Sequence, residues 1–119
     1  MEPTRTGARK VLSVTAYWIN FFHRIDDPDR VAAYAKLAGP AIREAGGRFL
    51  ARGEPAHVLE GGTMCRTALI EFVDVDAALA AYHSPAYQEA LRVLGDGAER
   101  ELRIIPAVEQ PPAAPVDQA

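Results

Sequence analysis

Glu71 stands between Ile70 and Phe72 in a segment that otherwise reads as buried strand. A carboxylate in such a setting must be paired, hydrogen-bonded or protonated, because an isolated buried charge is prohibitively costly. In a pocket it would serve as a general base; the other reading is a structural ion pair with Arg52 or Arg48. His23 follows the aromatic end of an apolar segment and lies beside Asp26 and Asp27. An imidazole oriented by a carboxylate would be a second acid–base group, with Asp26 as its partner because Asp27 is placed to cap a helix. The plain alternative is a surface loop histidine. Glu60 closes an extended stretch just before Gly61-Gly62, a position that reaches a pocket mouth or simply solvates a turn.

Around these acid–base candidates stand Tyr17, Trp18, Tyr34 and Tyr87, aromatic side chains with polar tips suited to line a small-molecule pocket, though such residues also build ordinary cores. With Arg52 and Glu60 they form the expected substrate-binding set, and Tyr17, Tyr34 or Arg52 would hold a developing oxyanion. Cofactor signals are missing. No two histidines stand three or four residues apart as in a helical metal motif, and Gly46-Gly47 and Gly61-Gly62 are turns without G-x-G-x-x-G or a following lysine and serine. Neither a metal, a nucleotide nor another cofactor is expected. Cys65 is the single cysteine, which excludes an intrachain disulfide and a thiolate cluster within one chain.

Positioning these groups requires a fold of modest size. The 119 residues, 49% hydrophobic and 24% charged, fit one domain that buries roughly two thirds of its unfolded surface. A net charge of -3 gives no footprint for a phosphate backbone, so nucleic acid is not an expected partner. No apolar run approaches the ~20 residues of a membrane span, and residues 1–10 are basic without the apolar core of a signal peptide, which points to a cytoplasmic protein. A flexible opening over 1–10, a folded domain over 11–109 and a disordered Pro- and Ala-rich tail over 110–119 complete the expected layout.

Within the domain, residues 11–22 are dense in β-branched and aromatic side chains and predict a first strand, with a turn over 23–26. Asp27-Pro28-Asp29 starts a helix to about Ala45, whose Val31, Tyr34, Ala35, Ala38, Ala41 and Ile42 recur on one face; Gly39-Pro40 predicts a kink and Gly46-Gly47 a left-handed cap. Short extended segments follow over 48–52 and 57–60, then a strand over 66–73. Asp74 caps a helix to Tyr82, Ser84-Pro85 restarts helical structure to the glycines at 95–97, and a last strand runs over 102–108 with Pro106 marking an edge or bulge. The order βαββαβ predicts a ferredoxin-like α+β domain: a four-stranded antiparallel sheet with its helices on one face. Both parities of the strands are apolar, with Val14, Ala16, Trp18 and Phe22 opposite Tyr17, Ile19 and Phe21, and Ala68, Ile70 and Phe72 opposite Leu69 and Val73. Helices cover one side only, so the other calls for a second copy of the chain, a homodimer.

The phrases Tyr17-Trp18-Ile19, Asp27-Pro28, Tyr34, Gly46-Gly47-Arg48-Phe49-Leu50-Ala51-Arg52-Gly53, Leu59-Glu60-Gly61, Ile70-Glu71-Phe72 and Ser84-Pro85-Ala86-Tyr87-Gln88 together resemble the DUF1330 family over nearly the whole core. The resemblance implies a dimeric α/β barrel, a shape shared with small monooxygenases, muconolactone-type isomerases, polyketide cyclases and stress-responsive barrel proteins. The family is named for its unknown function, and fold does not fix chemistry. Two positions depart from its pattern: Leu94 stands where relatives carry an arginine, and Pro106-Ala107 where they carry Glu-Gly. An anion contact made by that arginine would be lost here or moved to Arg92 or Arg100. The expected function is a cofactor-independent acid–base enzyme of isomerase, cyclase or lyase type, acting on a small, partly aromatic or polyketide-like molecule with Glu71 or His23 as base. The alternatives are a non-catalytic ligand-binding or stress-response protein and a cofactor-free monooxygenase.

Overall fold

The computed structural model describes residues 14–109; the expectations placed on 1–10, on 110–119 and on a strand beginning at Val11 lie outside the described residues. The chain runs β1 (Ala16–Ile25), α1 (Pro28–Glu44), β2 (Arg48–Gly53), β3 (Arg66–Phe72), α2 (Val75–His83), α3 (Pro85–Leu94) and β4 (Ala98–Pro106). All pairings are antiparallel, in the order β2-β3-β1-β4. This is the ferredoxin-like α+β architecture that the element order predicts.

Local chemistry sets the helix boundaries. Asp27 accepts hydrogen bonds from the backbone N–H groups of Asp29 and Arg30, and Pro28 opens α1 with no N–H to satisfy. The helix continues without a break through Gly39-Pro40. Its exit is a Schellman turn: Gly46 N–H donates to Arg43 and Gly47 N–H to Ile42, with Gly46 at φ 98°. Asp74 caps α2 through Ala77 N–H, and Ser84 both ends α2 and caps α3 through Tyr87 N–H. Gly47 has a packing reason as well. A Cβ there would lie 2.6 Å from Ile42 Cγ2 and 2.8 Å from Phe72 Cζ, so only a hydrogen lets β2 start this close to the core.

Three boundaries differ from the sequence expectation. β1 does not turn at residue 23 but runs to Ile25, because Arg24 and Ile25 pair with Glu99 and Ala98, with a bulge at His23. For the same reason β4 begins at Ala98, four residues before the predicted start. Residues 57–60 form no strand and belong to a loop over 54–65, since β3 is already paired on both sides, by β1 and β2. Pro106 closes β4 on the sheet edge, where a missing N–H costs no ladder bond.

The core lies between the sheet and the helices. Trp18, Ile70, Phe72 and Tyr87 are fully buried there, with Val31, Tyr34, Ala38 and Ile42 of α1 packed against them. Each such large side chain contributes roughly 1.5–3 kcal/mol by leaving water. The opposite sheet face carries Tyr17, Ile19, Phe21 and Leu69 half-buried and Ile105 52% exposed, with no helix among the described residues over it.

Candidate functional site: a cleft between the sheet and α1

Two cross-strand rows on the helix-facing side build the site. One runs Arg52, Ala68, Asn20, Leu102; the next runs Arg66, Phe22, Arg100. Arg52 reaches this face because β2 carries a bulge between Phe49 and Ala51, which resets the alternation so that Phe49 and Arg52 share a side three residues apart. Small residues leave the space: Ala68 on the sheet lies below Ala35, Ala38 and Gly39 of α1, and a cleft of about 50 Å³ opens between them. Its polar lining consists of Asn20, Tyr34, Arg52 and Arg66.

Asn20 is 5% exposed and its Oδ1 has no hydrogen-bond partner among the described residues. A buried acceptor left unpaired costs about 1–3 kcal/mol. Next to it a phenol pair is locked together: Tyr34 and Tyr87 hydroxyls lie 2.7 Å apart, and Arg100 donates to both, at 3.0 and 3.1 Å. Burial, then the adjacent Tyr34, pushes the Tyr87 phenol well above the usual tyrosine range, so it stays neutral. Trp18 meets Tyr87 edge-to-face at 5.1 Å, and its buried N–H finds no acceptor.

The predicted site residues separate onto two faces. Tyr34 and Arg52 line the cleft; Tyr87 and Trp18 lie in the core behind it. Tyr17, His23 and Glu71 are on the opposite face, where His23 borders a separate open cleft with Thr63 and Cys65, and Glu60 is exposed in the 54–65 loop, away from the cleft under α1. Glu71 accepts from Arg48 Nε and Nη2 at 3.1 and 2.8 Å, its direct neighbour across the β2–β3 ladder. His23 Nε2 lies 3.1 Å from Glu101 Oε1, not on Asp26. Since β1 extends past residue 23, its neighbours are those across the strand, and Asp26 is held by Arg24. Hydrogen bonds from Arg103 and His23 hold the Glu101 carboxyl below the usual range. Of the two relocated-arginine candidates, Arg92 pairs with Glu89 on the surface, whereas Arg100 enters the core.

Asn20 and Arg66 were not singled out from sequence. For Asn20 the signal was present: it shares parity with Trp18 and Phe22, the same argument that drew attention to Glu71. Among the described residues no group of three or more His, Cys, Asp or Glu could hold a metal ion, and no helix is long and apolar enough to cross a membrane.

An antiparallel β2-β3-β1-β4 sheet with helices on one face and a cleft beneath α1 gives the chain a ferredoxin-like α+β fold. It belongs to the DUF1330 family, a domain of unknown function, whose family model matches residues 15–108. Among solved structures, the RPA0582 protein of unknown function from Rhodopseudomonas palustris superposes with a TM-score of 0.69 at 17% identity, over 92% of this chain and 97% of that one. SnoaB, a cofactor-independent oxygenase from Streptomyces nogalater, gives 0.59 at 14% identity over 84% and 99%. A dimeric ferredoxin-like protein of unknown function from Thermobifida fusca gives 0.59 at 18% over 80% and 92%. At these identities the likeness is one of fold. No curated protein matches the chain.

Proposed function

We propose that the protein is a homodimeric, cofactor-independent enzyme that holds a small molecule between the sheet and α1 and stabilises an oxyanion formed on it. Asn20 carries the reading. A carboxamide acceptor buried without a protein partner, in a cleft lined by apolar side chains with Tyr34, Arg52 and Arg66, is satisfied by a ligand that donates to it. Loss of a proton from carbon beside a carbonyl leaves charge on oxygen, and the Arg52 and Arg66 guanidinium groups supply N–H donors for that charge. Tyr34 is kept in place by Tyr87 and Arg100. Isomerisation, cyclisation and elimination all pass through such an enolate. In this reading the proton leaves through the exposed mouth to solvent, because Glu71 and His23 do not line the cleft; those two serve the face that a second copy covers.

A second reading is favoured by the fold shared with SnoaB. In this second reading the enolate held in the cleft reacts with dioxygen, a CH2 group becoming C=O while the other oxygen atom leaves as water. Both readings are tested on the full chain. Deuterium incorporation into an enolisable 1,3-dicarbonyl probe in D2O, followed by NMR, reports the first, and oxygen uptake with an anthrone reports the second. Arg66→Gln should slow the active reaction by about 10²-fold, while Glu71→Gln leaves it unchanged. Loss of turnover in folded Glu71→Gln would move the chemistry to the opposite face, and no acceleration by the unaltered protein would make it a binding protein.

A further inference from the structure

The arginines among the described residues divide into two groups. Arg24, Arg30, Arg48, Arg92 and Arg103 are each paired with a carboxylate. Arg43, Arg52, Arg66 and Arg100 have no carboxylate partner among the described residues, and all four surround the cleft under α1. Arg52 and Arg66 line it. Arg43 shares the ring of Phe49 with Arg52, their guanidinium carbons 5.0 and 4.7 Å from its centre, and Arg66 and Arg100 share the ring of Phe22 at 5.9 and 5.7 Å. Room for Arg43 comes from Gly39, where a Cβ would lie 3.3 Å from Nη1.

Gathering like charges is unfavourable, and in a chain of net charge -3 there is no shortage of carboxylates to neutralise them. Aromatic faces hold the guanidinium planes without quenching their charge, so the cleft keeps a fixed positive field. Its interior presents the opposite requirement: Asn20 Oδ1 needs a hydrogen-bond donor. A small molecule that carries an acid group and a hydroxyl meets both demands.

Building on the reading of this cleft as the ligand site, we infer that its ligand is a compact hydroxy acid, with the carboxylate held by Arg52 and Arg66 and the hydroxyl donated to Asn20 Oδ1. The enclosed part of the cleft, about 50 Å³, takes the hydroxyl end of such a ligand, with the remainder at the open mouth. Tyr34, lining the same cleft, is fixed by Arg100 and Tyr87 and so shapes the wall.

Isothermal titration of the full chain with 3-hydroxybenzoate, benzoate and 3-hydroxybenzyl alcohol tests this. The hydroxy acid should bind at least about tenfold more tightly than either analogue. Replacing both mouth residues, Arg52→Gln with Arg66→Gln, should erase the advantage of the two acids over the alcohol. Asn20→Leu, which removes an unpaired acceptor and should not lower stability, should bring 3-hydroxybenzoate down to benzoate. The side-chain amide resonances of Asn20 should shift on adding the hydroxy acid to the unaltered protein. Equal affinity for acid and alcohol, or affinity indifferent to the arginine replacements, overturns the acid assignment while leaving the cleft as a ligand site. No saturable binding by any of the three at about millimolar concentration overturns both.

Discussion

Tyr87 shows how one side chain can be legible as important and illegible in role. Its place after Ser84-Pro85 marks it as the inward residue of a helix start, but the sequence does not say that its hydroxyl meets Tyr34, 53 positions away, or that Arg100 donates to both. The consequence is a pH dependence with a definite sign. An unfolded Tyr87 ionises near its ordinary value of 10.0, whereas burial raises the folded value above it. The stability this contributes is complete below about pH 10 and falls as pH rises further, with a limiting slope of about 1.4 kcal/mol per pH unit. Urea denaturation between about pH 8 and about pH 11 should therefore show a steeper alkaline loss for the unaltered protein than for Tyr87→Phe. Parallel curves would remove Tyr87 as the cause.

At the scale of elements, punctuation was readable and register was not. Asp27-Pro28, Asp74 and Ser84-Pro85 mark helix starts because a side-chain oxygen and a fixed φ act within three residues. The bulges in β1 and β2 depend on the partner strand, and they decide that His23 meets Glu101 and that Arg52 points under α1. Gly47 joins local and distant demands, ending the Schellman turn while admitting Ile42 and Phe72. Gly47→Ala should lower stability by about 1–3 kcal/mol through overpacking, measured by chemical denaturation; a neutral effect would mean that Phe72 moves aside freely.

For the whole molecule the uncovered sheet face is decisive. Tyr17, Ile19, Phe21 and Leu69 form its apolar strip, flanked by the Arg48–Glu71 pair and the His23–Glu101–Arg103 cluster. A second copy related by two-fold symmetry would bury that strip and bring its ion pairs toward their counterparts. Ile19→Glu, which places a charge in the middle of the strip beside Leu69, should shift sedimentation at micromolar concentration from dimer to monomer while the far-ultraviolet circular dichroism is retained. A dimer that survives this change would place the contact elsewhere on the surface.

The amino-acid sequence by itself determined the element order, the helix caps and the apolar character of both sheet faces, because these follow from interactions between residues close along the chain and from simple alternation. Only the tertiary structure decided which face carries the cleft. That choice depends on Ala68 lying opposite Ala38 and Gly39, on a bulge that turns Arg52 inward, and on Asn20 being enclosed without a partner. Each is a relation between segments distant in sequence, fixed by packing.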